Sequence, residues 1–542
     1  MEDSLKNFQN LEFTTEIKRK VNLKTIWEWK DYKESQEIRT KVCIIGSGCG
    51  GATLARELLL AGIDTIILEK GGFYPTATFD NWELNMAGKI SGERNLQMDT
   101  NYQANLIYGN NVGGASVHYW ADSYRTPVDR LNLWEEKFGI RNHTDSDLKP
   151  YWPVLEERLN VHLPKEEYYN RMNQKLRLGS NTLGWSGHPV PQARKNCQKS
   201  GHCMQGCAFG AKQSQLVTHI DEFIRNQGRL FADMEADGFE LIRTEKRSKA
   251  KVLIASPKNR ASGKKMDLTF RIHADIFVIA AGGFQSSALL LSNGLKKDLP
   301  ALGEFFGMNA SPMVHALFDE EMISYRNIPA AFGIDEFRNA RFFPNGNYKE
   351  GGFMLMANQL QPATLASMIP SIGEEHFRWM KSLNHIGGTI GWIDDPEEEL
   401  GRIEWKSKTK KIIAPDGPKT RKVMLDLIEK QVHLNFAVGA KEVLIPTVSG
   451  IRLTSLRDLP KIKTINLGPH SLLMAAPHPF GGCRMGENPK NSVVNSEHRV
   501  HRFENLFVAD SSVFPTGPSV DPSFTIMAFS LRLADHLKEI LK

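Results

Sequence analysis

Cysteine is scarce in this chain: six residues in 542, at positions 43, 49, 197, 203, 207 and 483. That is too few for a disulfide scaffold of this length. No apolar run approaches the roughly 18 residues a membrane-crossing helix needs, so no transmembrane segment is expected. The opening Met1–Lys6 is charged, with no apolar stretch behind it. A secretory leader is therefore not expected, and the expected location is the cytoplasm, or export in company with a partner subunit. Excess charge is lacking too: 68 Lys and Arg against 62 Asp and Glu leave a formal +6. The basic stretches Arg243–Lys251 and Lys406–Lys411 hold few aromatics and read as solvated hairpin or loop faces. No nucleic-acid partner is expected from them. Repeats and low-complexity tracts are missing. What is present is ordinary for a folded protein, 41% hydrophobic and 24% charged, which excludes wholesale disorder.

Residues 1–37 are charged and read as an arm, with Trp27 and Trp29 as docking points. Lys41–Ile45 reads as a short buried strand. Glycines follow, then a helical pattern through Ala61-Gly62, then a second apolar strand at Ile63–Leu68. Strand, glycine turn, helix, strand is the opening of a doubly wound α/β sheet. Strand signals resume far downstream, at Lys251–Ser256, Leu268–His273 and Asp275–Ala281, with a helix from Gln285. The C-terminus repeats the flavour with a strand at Leu506–Ala509, a turn at Phe514–Pro518 and a helix over Ser523–Leu541. The nucleotide-binding domain is thus expected in three pieces, 38–125, 215–300 and 471–542. A second domain is expected from 126–214 and 301–470.

Gly46, Gly48 and Gly51 stand in G-x-G-x-x-G register. The spacing alone is weak; between a strand and a helix it gains force. Absent side chains let the turn approach a pyrophosphate, the helix N-terminus stabilises its charge, and Glu69, ending the next strand, accepts from ribose hydroxyls. A nucleophile elbow after a strand is missing, so a hydrolase finds little support.

Further blocks carry a resemblance. Glu69-Lys70-Gly71-Gly72, Val112-Gly113-Gly114-Ala115-Ser116, Ala280–Ser287, His478–Gly486, and Ala509-Asp510-Ser511 followed by Asp521–Thr525 are similar, in order and separation, to blocks of the glucose–methanol–choline (GMC) flavoprotein oxidoreductases. The resemblance runs over nearly the whole chain from about residue 38. It implies a Rossmann-like FAD-binding domain of discontinuous segments and an α+β substrate domain with an antiparallel sheet. FAD would lie with its adenosine end on Gly46–Gly51 and Glu69. Gly113, Gly114 and Ser116 would line the flavin, and Asp510 would contact the ribityl or phosphate end. His478 matches the family's catalytic histidine, which takes the hydroxyl proton of an alcohol as hydride leaves carbon for flavin N5.

Three positions need separate comment. Asp521 departs from the family's Asn or His. It is expected either to be protonated, or to pair with His478 as part of the base, or merely to bond backbone. Tyr119 stands where many members carry Asn. His118 resembles the Gly-Gly-x-x-x-His pattern of sugar-oxidising relatives, in which the matching histidine bonds covalently to flavin; a non-covalent flavin neighbour and a packed residue are its other readings.

Cys197, Cys203 and Cys207 form C-x5-C-x3-C. Three thiolates in one small-residue loop suit an iron–sulfur cluster, while a structural zinc asks for a fourth ligand such as His202; free thiols are the third reading. The spacing is similar to the 3Fe-4S loop of FAD-dependent sugar dehydrogenases of this family. Gly210-Ala211-Lys212 resembles those and the long-chain alcohol oxidases. A cluster would pass electrons to an external acceptor or a small partner subunit, as in a dehydrogenase. The substrate expected is a sugar, glycoside or polyol, with a long-chain or sterol-type alcohol as the alternative. Phe342-Phe343 and Phe353–Met356 are candidates for an apolar pocket, or plain core. Readings of another class are a GMC-fold lyase with non-redox flavin and a flavin subunit without turnover of its own.

Overall fold

Val42–Ile45 are four consecutive apolar residues, the signature of a strand covered on both faces. In the computed structural model, which describes residues 24–244 and 247–542, they end strand β1 (Gln36–Ile45). Helix α1 (Cys49–Leu60) and strand β2 (Thr65–Leu68) follow. Much later come β3 (Phe270–Ile279), α2 (Gln285–Ser292), β4 (Leu506–Val508) and α3 (Ser523–Ile540). The strands β2, β1, β3 and β4 lie side by side and parallel. Their sheet continues beyond β2 through Arg229–Phe231 and Ile26–Trp27, also parallel. On the other side, the antiparallel strands Ser248–Pro257 and Met234–Arg243 extend it from β3. Helices α1 and α3 pack on each other over one face, burying Leu54, Leu58, Leu533 and Leu537.

The expected break between Leu268–His273 and Asp275–Ala281 does not exist. β3 is one strand of ten residues, paired with β1 along its length. Its far edge is shared: Phe270–Ile272 pair with the Leu253–Ala255 stretch and Phe277–Ile279 with β4. The Asn505 side chain fills the fork, donating to the carbonyls of Ala250 and Asp275. The polar residues His273 and Asp275 mark this fork, not a chain break.

The expected arm joins this body at Ile26–Trp27, where Trp27 stacks on Phe231 with centroids 4.9 Å apart; residues 1–23 lie outside the described residues. Lys406–Lys411 falls on the hairpin between Gly401–Lys406 and Thr409–Ile413, and the ends of Arg243–Lys251 lie in the two outer strands, where Arg243 pairs with Ser248.

The second sheet has nine strands, with Ser311–Leu317, Ile386–Ile393 and Phe353–Ala357 antiparallel at its centre. Alternation along each strand divides its residues between two faces. Phe353, Leu355 and Val314 meet the helix Pro418–Ala437 through Val423, Leu427 and Ile428. Met313, Met354, Met356, Ile390 and Trp392 form the other face, together with Tyr124 and Val520. Phe353–Met356 are therefore sheet core. Phe342 and Phe343 are about half exposed on a separate hairpin. No helix among the described residues is long and apolar enough to cross a membrane.

Candidate active site

The C-terminal ends of β1, β2, β3 and β4 converge. Gly46 N donates to Leu68 O, Ala280 N to Ile45 O and Ala509 N to Ile279 O. Gly46, Glu69, Ala280–Gly282 and Asp510 thus meet at one edge of the sheet, where open α/β sheets hold their ligands. Gly46 has φ +107°, and a Cβ there would stand 2.2 Å from Ala280 O, so only glycine fits. Gly48 differs: a Cβ would meet only Gly114 Cα, 4.0 Å away. It faces open space, a cradle that a side chain would fill. It is also the N-cap of α1 without any side-chain cap bond, so the first-turn N–H groups remain available to an anion.

Glu69 is buried beside this turn. Its Oε2 accepts from Ser47 N (3.0 Å) and Ser47 Oγ (2.6 Å), and its Oε1 from Gly71 N (2.8 Å). Burial raises its carboxyl against those bonds, and lone pairs remain on both oxygens for hydroxyl donors. Ser47 Oγ in turn accepts from Gly113 N at 3.1 Å. A Cβ on Gly114 (φ +59°) would come within 2.7 Å of Gly48 Cα, so the two glycine segments touch. Ser116 Oγ donates to Gly113 O and accepts from Gln215 N, holding this turn. His118 follows it, buried, with no partner for Nε2. Burial first, and the Lys212 ammonium second, push it down to about 4, so its ring is neutral at pH 7. Asp510 ties the strand ends: Oδ2 accepts from Gly282 N and Ser286 Oγ, and Oδ1 from Ser512 N and Oγ.

His478 enters on a loop clamped from three sides. Ser511 Oγ donates to Pro479 O at 2.7 Å. Gly283 leaves room for that same carbonyl, and Gly307 for the Phe480 ring. His478 Nε2 lies 2.8 Å from Asp521 Oδ1. The contact puts the Asp521 carboxyl directly against the His478 ring. His478 Nδ1 and Asp521 Oδ2 are buried without partners among the described residues. Trp392 meets the His478 ring edge to face, 5.5 Å between centroids. The loop leading into Asp521 is fixed by Arg130, which donates to Asp394 and to Ser519 Oγ (2.6 Å).

In the cysteine loop, Cys203 and Cys207 are buried and Cys197 is partly so. Each sulfur accepts one N–H: Cys197 from Lys199 N (3.5 Å), Cys207 from Lys212 N (3.4 Å), Cys203 from Arg194 Nη1 (3.3 Å). Two buried cations accompany them. Lys212 Nζ donates to the carbonyls of Val117, Tyr119 and Cys203, and burial lowers it to about 8 against the pull of Cys203 and Cys207. Among the described residues no three His, Cys, Asp or Glu side chains could hold one metal ion.

Four residues that motif reading passed over stand behind this site: Asp122, Gln192, Arg194 and Trp392. All are buried, and no local spacing announces them. A buried arginine two residues from a buried glutamine carries no periodic signal.

A family model described as GMC oxidoreductase matches in two parts, residues 44–309 and 401–530. An uncharacterised GMC-type oxidoreductase of Sinorhizobium fredii is 28% identical over 511 residues, 92% of this chain and 94% of its own. A long-chain-alcohol oxidase of Arabidopsis thaliana is 23% identical over 532 residues, 94% of this chain and 68% of its own. Among solved structures, a formate oxidase of Aspergillus oryzae, a structure concerned with FAD modification, superposes with a TM-score of 0.69 at 14% identity. It covers 94% of this chain and 99% of its own, which establishes a shared fold.

Proposed function

The chain belongs to the GMC oxidoreductases, and from that premise we propose that it oxidises CH–OH groups with His478 as the base. The observation that carries this is the His478 ring itself, pinned at Nε2 by Asp521 with a buried, unpartnered Nδ1.

FAD is the cofactor of this family, and the residues present fit it. Gly46, Gly48, Gly51 and the uncapped start of α1 would take the pyrophosphate, and Glu69 the adenosine ribose. Gly113, Gly114, Ser116 and His118 would line the ring, with Asp510 bracing the segments around it. The unpartnered His118 Nε2 and the open face of Gly48 are what such an occupant would complete. Bound FAD supplies the acceptor for the hydride that leaves the carbinol carbon. His478 handles the proton. Asp521 Oδ1 accepts the Nε2–H, which fixes the tautomer and leaves the Nδ1 lone pair bare. Nδ1 accepts the substrate hydroxyl proton, and the Asp521 carboxylate stabilises the imidazolium that results. The pinned ring cannot turn away, so the proton acceptor stays oriented between turnovers.

The apolar wall that Trp392 sets against His478 supports an alcohol with an apolar body. Likeness to the Arabidopsis long-chain-alcohol oxidase points the same way. A second reading, a glycoside or polyol, is favoured by the same wall's polar atoms: Tyr124 Oη and Trp392 Nε1 are buried without partners, and hydroxyls would satisfy them.

The cysteine loop supports an iron–sulfur cluster held by Cys197, Cys203 and Cys207. A cluster takes one thiolate per iron, so it asks for sulfurs spread around a loop and not gathered at one point. An N–H to each sulfur and the buried Arg194 and Lys212 offset thiolate charge. Such a cluster would supply one-electron storage on the way to an external acceptor.

Anaerobic mixing with fatty alcohols and with glucosides, followed at the flavin absorbance, tests this. Bleaching by either series supports the oxidation and names the class. Turnover with the flavin staying oxidised would make the protein a lyase; no turnover without a second chain would make it a flavin subunit.

A further inference from the structure

His478 is touched from two directions, by the Asp521 carboxyl at Nε2 and by the Trp392 ring edge to face. The two partners come from different parts of the fold. Trp392 lies in Ile386–Ile393, at the centre of the nine-stranded sheet, and Asp521 on the loop between β4 and α3. Ser519 stands two residues before Asp521, and Asp394 two residues after Trp392. These two meet: Ser519 Oγ donates to Asp394 Oδ2 at 2.8 Å. Arg130, on the helix Val128–Phe138, donates from Nη2 to both, reaching Ser519 Oγ at 2.6 Å. His478, Asp521, Ser519, Asp394 and Trp392 thus form a closed circuit of contacts and short chain links. Its clasp lies opposite the histidine.

Several features hold this clasp shut. A Cβ on Gly517 would stand 2.4 Å from Asp394 Oδ1, so the glycine is what lets the carboxylate approach. Ser519 has φ +61°, a left-handed conformation that residues with a side chain seldom keep unless their surroundings hold it. The Arg130 and Asp394 side chains are 15% and 12% exposed, so solvent ions screen their attraction little. Trp134, one turn on from Arg130, donates from Nε1 to Thr516 Oγ1 at 2.8 Å and holds the start of the same loop. Beyond Asp521, Thr525 meets Thr126 with hydroxyl oxygens 2.8 Å apart. Asp521 is therefore bracketed on both sides, and Ser519 is the bracket that reaches the second sheet.

We propose that Ser519, Asp394 and Arg130 are positioning residues, whose clasp sets the Asp521 carboxylate in register with the Trp392 wall around His478. The inference rests on the reading of His478 and Asp521 as the catalytic pair. The three act through their neighbours: Ser519 through the two links to Asp521, Asp394 through the two links to Trp392, and Arg130 by holding both. The clasp couples the substrate side of the site to the side that handles the proton, because a shift of either segment pulls on the other.

Ser519→Ala removes the hydroxyl and leaves the Arg130–Asp394 ion pair in place. In the holoenzyme its limiting rate of flavin reduction is expected to fall about tenfold at unchanged FAD content, the cost of a displaced catalytic group. A double-mutant cycle reads the route. In an Asp521→Asn background the same change is expected to cost less than about twofold, because the carboxylate it positions is already gone. An equal fall in both backgrounds would make Ser519 a general packing residue and overturn the proposal, as would a wild-type rate in Ser519→Ala. Ser519→Gly, which suits the left-handed backbone, makes the same test should Ser519→Ala fail to fold. Crystal structures of the two holoenzymes answer independently of turnover. The 2.8 Å contact between His478 and Asp521 is expected to open in the variant, and a contact kept in place would overturn the proposal. If no alcohol reduces the flavin, the catalytic reading fails, while the structures still decide whether the clasp positions Asp521.

Discussion

His478 Nε2 and Asp521 Oδ1 stand 2.8 Å apart, on segments separated by one whole turn of the chain through β4. On the proposed reading the contact leaves Nδ1 as the ring nitrogen that handles the proton. Two substitutions separate the roles. His478→Ala is expected to slow flavin reduction about 10²–10⁴-fold while the protein keeps its flavin absorbance. Asp521→Asn is expected to lose about 100-fold, because an amide no longer enforces the tautomer or stabilises the imidazolium. Stopped-flow reduction reads both effects; an Asp521→Asn variant with wild-type rate would reduce the contact to packing.

The cysteine loop makes a prediction about composition. Anaerobically purified protein is expected to contain iron and a broad absorbance beneath the flavin bands. Cys203→Ser is expected to lose the iron and keep the FAD, since Cys203 lies in a loop apart from the dinucleotide turn. Elemental analysis of the wild type decides it: iron-free protein with three titratable thiols in the loop would leave these cysteines as packing residues around Arg194.

The parts legible in the sequence are those where one short segment holds both the signal and its reason. Gly46–Gly51 announces a turn because glycine spacing, strand and helix lie within some twenty consecutive residues. Glu69 follows from the same unit. His478 and Asp521 were marked by their blocks, but their pairing depends on how β4 and the loop after it bring one block back to the other. Asp122 and Gln192 meet across 70 residues of chain, and Thr126 and Thr525 across 399. No local pattern encodes such contacts. The misplaced break in β3 had a different origin. His273 and Asp275 interrupt an apolar run because the strand's edge forks between two neighbours there, and polar residues at a fork look like residues at a turn.

Acid stability should follow the buried histidines. His143 and His498 lie with Nε2 atoms 3.2 Å apart, and burial pushes them down to about 4 and about 3. Each is a base lowered below its unfolded value near 6.5. The unfolded chain therefore binds protons first as pH falls. Their contribution is complete above about pH 6.5 and is lost toward pH 4, at about 1.4 kcal/mol per pH unit for each ring. Tm is expected to drop over that window, and more shallowly in His143→Gln. Equal slopes in the two proteins would mean that other groups govern acid unfolding.

The first two glycines of the Gly46–Gly51 turn are expected to fail in different ways. At Gly46 the backbone is left-handed and a methyl group would press 2.2 Å from Ala280 O, so Gly46→Ala should destabilise the fold itself. At Gly48 the backbone is extended, with φ −72°, and the added atoms find open space. Gly48→Val should fold with the apo-protein Tm of the wild type, yet bind little FAD, because its branched side chain occupies the cradle above the start of α1. Flavin content per chain, measured beside the Tm of the stripped proteins, separates the two. A Gly48→Val variant that retains full flavin would mean that the dinucleotide lies elsewhere, and the assignment of this turn to the pyrophosphate would have to be given up.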